Sequence, residues 1–290
     1  MHHLIRQFLF FLFKYKATYY IGMIFLRFLR ILKNSTFKEK EEMVLVKNYM
    51  GNVKMMVNKN SSMGGAIFWF GFHHTREMLF LSKFLKSEMT FIDIGANQGE
   101  FALFAASVLK NGRVIAFEPT SWQLNLLKNN IALNQFKNVE ICEYGLFNEE
   151  KQIEVFTSND SVLHKGHHEG LSTIYRSDSR NISEGIIELK IFDEIHFDNL
   201  ERFDILKIDI EGAELPALKG MSKSLLKFKP LIIIEMSEAN YNLAGYGIND
   251  VIEFLSQFGY QPYRFHRNEI RPLNSYSKSG SDNIVYIASK

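Results

Sequence analysis

The sequence predicts an α/β domain built on a seven-stranded, mostly parallel sheet, with an antiparallel hairpin at its C-terminal edge and a β insertion. Three observations carry this reading. Short β-rich apolar runs alternate with stretches that are apolar at helical spacing, from about residue 75 onward. The first of those runs ends in a glycine-rich turn that opens directly into a helix. A later run bears a charge at every second position, which places those charges on one face of a strand.

The elements follow in order. Residues 90–94 form a short β-rich run ending at Gly95. Residues 100–110 are apolar at helical spacing, through Phe101, Phe104, Ala105, Val108 and Leu109. Residues 114–117 are a second apolar run, and 121–134 a second helix with Leu124, Leu127, Ile131 and Ala132 on one face. Residues 139–142 are a third strand. This order predicts a parallel sheet covered by helices on both faces, with right-handed crossovers. The rhythm breaks at about 148–195, where the β-like runs 152–156 and 186–192 flank a Ser-, Gly- and His-rich segment at about 158–184, expected to be mobile. Beyond it come a strand at 204–210, a helix at 214–227, a strand at 231–236 and a helix at 248–258. The runs 260–265 and 283–288 read as the closing antiparallel pair.

Composition narrows the function classes. Residues 1–38 carry seven basic side chains and no acidic one. The remaining 252 residues hold 27 basic and 32 acidic side chains, a net charge of −5, which argues against a nucleic-acid partner. The basic head is also aromatic, and it suits an anionic membrane surface contacted through residues 4–33. Its longest uncharged stretch is 10 residues, against the ~20 that a spanning helix needs. Lys14 and Lys16 stand where a signal peptide would have small residues. The other reading is a helix packed on the domain or on a partner subunit. Residues 34–42 read as a linker, so the chain divides into a segment at 1–42 and a domain at 43–290. A single cysteine, Cys142, excludes an intramolecular disulfide and a cysteine zinc site. It fits a cytoplasmic protein, and the basic head adds the inner face of the membrane as a surface that the protein could attach to peripherally.

The turn Asp93-Ile94-Gly95-Ala96-Asn97-Gln98-Gly99 is the densest signal. Glycines let the backbone turn sharply and approach a ligand, and the helix N-terminus offers unpaired N–H groups. Glu118 ends the next strand, 19 residues after Gly99, where a carboxylate can accept both hydroxyls of an adenosine ribose. A dinucleotide needs Gly-x-Gly-x-x-Gly for its pyrophosphate. This turn is one residue tighter and has an acid two positions before its first glycine. That suits a ligand with a cationic end and no phosphate, namely S-adenosylmethionine. Asp93 is then expected near the methionine amino group, directly or through water, and Gly145-Leu146 against adenine. Pro119 and Ser121 shape the turn beyond Glu118.

The run from Asp204 to Glu214 is the second constellation. Lys207, Asp209 and Glu211 alternate, and burying them unpaired would cost several kcal/mol each, so Lys207 is expected to pair with Asp209. Asp209 or Glu211 is the candidate base for a substrate hydroxyl. They could instead hold the substrate, bind Mg²⁺ together with Glu235 or Glu238, or form a structural ion pair. A divalent metal is not the favoured reading. His164, His167 and His168 lie in the insertion, as a lid with one base or as solvated loop residues. His73-His74, in an aromatic stretch, reads as packing.

Residues 91–99, then Phe117-Glu118-Pro119, then the run from Leu206 to Glu214, resemble the FkbM-type methyltransferases. The run from Pro230 to Glu235 also fits, so the resemblance covers roughly residues 75–265. It implies a Rossmann-like class I methyltransferase fold that uses S-adenosylmethionine, usually to methylate a hydroxyl on a sugar or natural product. Many members carry a Leu/Ser run and then Val-x-x-Leu-Asp in the insertion. Gly170-Leu-Ser-Thr173 and Ile191-Phe-Asp193 are similar, with Phe192 where Leu is usual. The basic N-terminus lies outside the family core. The expected acceptor is a small molecule or glycan, above all a saccharide or glycolipid. The rival classes are a nucleotide-dependent oxidoreductase and a non-catalytic binding module.

Overall fold

A computed structural model of the chain describes residues 4–5, 8–9, 11–12, 21–22, 24–25, 42–158, 172–266, 269–276 and 280–289. The domain begins with an antiparallel hairpin, β1 (Met43–Tyr49) and β2 (Val53–Asn58), followed by α1 (Ser62–Phe70) and α2 (Thr75–Phe84). Then come β3 (Thr90–Ile94), α3 (Glu100–Val108), β4 (Arg113–Phe117), α4 (Ser121–Asn134), β5 (Val139–Cys142) and β6 (Gly145–Leu146). The insertion supplies β7 (Lys151–Ser158) and β8 (Arg180–Lys190), and α5 (Phe192–His196) closes it. The remainder is β9 (Ile205–Ile208), α6 (Glu214–Lys219), α7 (Ser222–Phe228), β10 (Leu231–Ser237), α8 (Glu238–Leu243), α9 (Ile248–Ser256), β11 (Tyr260–His266), β12 (Glu269–Pro272) and β13 (Ser281–Ala288).

All seven expected strands lie in one sheet, ordered β12-β11-β13-β10-β9-β3-β4-β5. The five from β10 to β5 run parallel, and β11 and β13 form the antiparallel pair. An eighth strand, β12, adds to the outer edge of β11. The chain leaves β3 for β4 and β5, then returns to β9 on the other side of β3. Such a reversal opens a crevice at the strands' carboxyl ends, where α/β sheets bind ligands.

Strict alternation buries both faces of this sheet. Phe91, Val114, Ile205 and Ile233 join one apolar cluster. Their neighbours Ile92, Ile115, Leu206 and Ile234 join the other. Asp93, Lys207 and Glu235 follow the first set by two residues, so three charges end up on one buried face.

Several expectations change. The hairpin β1–β2, with α1 and α2, precedes the alternation read from the sequence. Its signal is the buried set Val53, Met55 and Val57, spaced by two. The helix expected at 214–227 is broken into α6 and α7, because Gly220 lies against Phe147: a Cβ there would stand 2.1 Å from the Phe147 carbonyl oxygen. The β run expected to reach Phe192 stops at Lys190, and Phe192 opens α5. Asp193 then accepts hydrogen bonds from the backbone N–H groups of Lys223 and Ser224, 2.6 and 3.1 Å away, and so caps α7.

Of the basic N-terminal segment, residues 4, 5, 8, 9, 11, 12, 21, 22, 24 and 25 are helical. Leu9 is buried against Phe70, Phe72 and Leu79, while Leu4, Phe8 and Phe11 are exposed. Among the described residues no helix is long and apolar enough to cross a membrane. The linker at 34–42 lies outside the described residues except for Glu42, as do 159–171 of the segment expected to be mobile.

Candidate active site

The turn after β3 is pinned to the end of β4. The backbone N–H groups of Gly95 and Ala96 both donate to the Phe117 carbonyl, at 3.0 and 2.9 Å. Asn97 has φ 51°, a left-handed conformation that Asn tolerates better than most residues. Its N–H donates to Glu118 Oε2 at 2.9 Å, and its Oδ1 accepts from the Gln98 N–H at 2.7 Å. Gly95 has φ 78°, and a Cβ there would lie 2.1 Å from the Asp209 carbonyl oxygen. That glycine therefore serves close packing of two strand-end turns. Gly99, φ 99°, opens α3 with its Cα against Leu127 and Leu103.

Beyond this turn lies a cavity of about 700 Å³. Glu118, Pro119, Gly145 and Leu146 line it, with Gln123 and Ile210. Glu118 is 6% exposed. Its Oε1 accepts from the Thr120 N–H at 3.0 Å and from the Thr120 hydroxyl. Burial outweighs these bonds and raises its carboxyl above the ordinary range. Thr120, unlike Ser121, lines the cavity, and the sequence reading passed over it. Its signal is a hydroxyl two residues after a buried acid. A Cβ on Gly145 would stand 2.6 Å from a Leu189 methyl carbon, so glycine lets the insertion close over this wall.

Asp93 lines neither this cavity nor the next. It is 1% exposed, and its Oδ2 is buried with no hydrogen-bond partner among the described residues. Burial pushes its carboxyl up to about 7, against the pull of Lys207, which it faces across the β3–β9 register.

A second cavity, of about 880 Å³, adjoins the first and shares Gly95, Asn97, Asp209 and Glu211 with it. Lys207 Nζ lies 3.0 Å from Asp209 Oδ2, as expected from the sequence. Burial alone would raise Asp209. Lys207, His74 and a hydrogen bond with Glu235 outweigh it and hold Asp209 at about 2. Asp209's charge, with burial, drives Glu235 well above its ordinary value, so Glu235 keeps the proton of the pair. Glu211, φ 53°, lies past the end of β9. Its Oε2 accepts from Arg180 Nη1 at 2.9 Å and Asn240 Nδ2 at 2.7 Å. Burial, aided by Asp209, still pushes it up to about 7. The Glu211 carbonyl accepts from the Thr173 hydroxyl at 2.8 Å, and Glu214 closes the turn by accepting from the Ile210 and Gly212 N–H groups, each at 2.9 Å.

His73 and His74, read from sequence as packing residues, line this second cavity with Glu100. Glu100 and the histidines are 26 and 27 residues apart, so no local pattern signals the contact. Among the described residues two sets of donor atoms lie within 4.8 Å of one another, each set by itself: His73, His74 and Glu100, and Asp209, Glu211 and Glu235. Lys207 and Arg180 already balance the second group. Glu238 belongs to neither group and lines neither cavity. His164, His167, His168, Gly170 and Leu171 lie outside the described residues.

The chain is 23% identical over 172 residues to Methyltransferase 1 of Beauveria bassiana, across 53% of this chain and 66% of that protein. It is 26% identical over 194 residues to methyltransferase sdnD of Sordaria araneosa, across 59% of this chain and 73% of that one. Among solved structures it is similar to a methyltransferase FkbM from Methylobacillus flagellatus, at 18% identity and TM-score 0.46, over 70% of this chain and 44% of that one. The chain thus spans just under two thirds of the first relative and less than half of the solved protein. The model of the methyltransferase FkbM domain matches residues 93–262, from the acid before the glycine turn to the third residue of β11. With that match running through both constellations, the chain belongs to the methyltransferase FkbM domain family.

Proposed function

We propose that this protein transfers a methyl group from S-adenosylmethionine to a hydroxyl of a saccharide or glycolipid. The observation that carries the reading is the pair of adjoining cavities with one shared wall of Gly95, Asn97, Asp209 and Glu211. When bound, S-adenosylmethionine supplies a methyl group on a cationic sulfur. Asp93 lines neither cavity, so it would meet the ligand's ammonium group through water, for which its unpartnered Oδ2 is an acceptor. Glu118 offers its carboxylate to the ribose hydroxyls, and Gly145 and Leu146 form an apolar wall for adenine. The ionised Asp209 favours positive charge at the shared wall. Glu211 titrates near neutrality and holds the insertion, through Arg180, against the same wall. Catalysis comes chiefly from positioning and from excluding water.

The exposed face of Leu4, Phe8 and Phe11, on a segment rich in Lys and Arg, supports peripheral attachment to an anionic membrane, which would bring a lipid-linked acceptor to the second cavity.

Two measurements test this. Calorimetric titration with S-adenosylhomocysteine and with NAD should give binding to the first alone; tight NAD binding alone sinks the reading. Mass spectrometry of glycolipids from cells with and without the protein should show a species heavier by one methylene only where the protein is present.

A further inference from the structure

The second cavity holds a histidine–carboxylate pair that neither constellation in the sequence contains. Glu100 is 2% exposed and its carboxylate meets four donors. Oε1 accepts from the Tyr49 hydroxyl at 3.3 Å, the His73 N–H at 2.8 Å and the His74 N–H at 3.3 Å. Oε2 lies 2.8 Å from His74 Nδ1. Burial would raise this carboxyl, but the two histidines outweigh it and hold it at about 2. An ionised carboxylate only accepts, so His74 Nδ1 carries the hydrogen. In the neutral ring Nε2 then has the lone pair, and no described side chain pairs with it. The other carboxylates at this cavity are committed: Asp209 to Lys207, and Glu211 to Arg180 and Asn240. Four donors on Glu100 also leave it poorly placed as a metal ligand.

We propose that His74 is the general base of the reaction, taking the acceptor hydroxyl's proton on Nε2, with Glu100 as its positioning residue. This rests on the methyl-transfer reading above. As the hydroxyl oxygen bonds to the methyl carbon, the carbon–sulfur bond breaks and its electron pair stays on sulfur, which becomes neutral. The proton passes to Nε2, and the imidazolium so formed is stabilised by Glu100 until it loses the proton to solvent. A carboxylate that fixes the tautomer and supports the imidazolium is a recurring way to use histidine as a base. Tyr49 on β1 and the N-terminal turn of α3 together hold the pair, which gives the hairpin a part in the chemistry.

The charges around His74 are Glu100 on α3, Glu77 on α2, Lys207 on β9, and Asp209, Glu211 and Glu235 on the cavity wall, beside His73. Burial disfavours the imidazolium, yet Glu100 and Glu77 outweigh burial and Lys207, so the ring titrates above its ordinary value.

The test has two arms on the full chain with S-adenosylhomocysteine or S-adenosylmethionine. Ring-nitrogen NMR of the S-adenosylhomocysteine complex should show His74 with hydrogen on Nδ1 at neutral pH. Its midpoint should lie above roughly 6.5 and fall in Glu100→Gln. Hydrogen on Nε2 instead overturns the proposal. In the second arm, labelled S-adenosylmethionine is incubated with a glycolipid extract of cells lacking the protein. The acid limb of kcat should track the NMR midpoint. His74→Gln should abolish that limb and lower kcat by on the order of 100-fold, with S-adenosylhomocysteine affinity unchanged. A limb that survives in His74→Gln overturns this proposal alone. Intact donor binding without label transfer by the wild type overturns the methyl-transfer reading and this proposal with it. Should His74→Gln unfold, Glu100→Gln serves the same comparison: a kcat limb that does not move with the NMR midpoint overturns the proposal.

Discussion

The Cα of Gly95 rests against the backbone of Asp209, so close that a Cβ would stand 2.1 Å from its carbonyl oxygen. The turn after β3 and the turn after β9 are thereby one unit, although 114 residues separate them. Gly95→Ala must move one turn off the other and must also adopt φ 78°. We expect a loss of about 2–3 kcal/mol, read as a lower urea midpoint, and loss of S-adenosylhomocysteine binding in calorimetry. A variant that binds as the wild type does would show that the two turns act separately.

Glu118 offers the test of donor binding. Its two oxygens accept from Asn97 and Thr120, and an amide in its place can accept at only one end. Loss of charge-assisted bonds to a ribose is worth about 2 kcal/mol. Glu118→Gln should therefore weaken S-adenosylhomocysteine roughly 30-fold.

Asp93 sets function against stability. Its folded-state pKa, about 7, lies above the ordinary value because of burial. The stability tied to its protonated form is present at low pH and is lost as pH rises through about 7. Asp93→Asn should gain stability over the wild type as pH climbs from about 4 to 7 and keep a constant advantage above that, while binding S-adenosylhomocysteine more weakly. Urea midpoints across pH report the first and calorimetry the second. An advantage confined to acid pH would contradict this reading.

Lys207 is 1% exposed and is the cation nearest Asp209. Lys207→Met leaves the half-buried Asp209 carboxylate without its partner, which costs about 1–3 kcal/mol. Urea unfolding at neutral pH should show that loss. Asp209→Asn in the same background should recover part of it, because the double variant carries no unpaired charge.

The parallel strands were legible because a strand buried on both faces must be apolar throughout. Lys207, Asp209 and Glu211 stood out against that rule, but only Lys207 lies within β9; Asp209 and Glu211 fall in the turn beyond it, where Glu211 has φ 53° and the strand alternation no longer holds. The expected Lys207–Asp209 pair forms all the same. What Gly95 packs against was not legible, since residue 209 reaches it only in the folded sheet. The break at Gly220 is set by the Phe147 carbonyl, 73 residues earlier. His74, Glu100 and Tyr49 come from three different elements, and each looks ordinary where it stands. A two-residue motif in an aromatic stretch reads as packing until a buried acid from α3 is seen beside it.

Asn130 and Asn134, one helical turn apart on α4, face the outer edge of β2. Asn130 accepts from the Met56 N–H and donates to its carbonyl, at 2.7 and 3.2 Å. Asn134 does the same for Lys54, at 2.7 and 2.6 Å. The two side-chain amides thus reproduce the rungs that another strand would supply. A two-stranded sheet ordinarily leaves a row of backbone groups as a template for a second molecule. Here the rungs at 54 and 56 are taken, so the hairpin that carries Tyr49 is guarded along that edge against strand exchange and edge-to-edge aggregation.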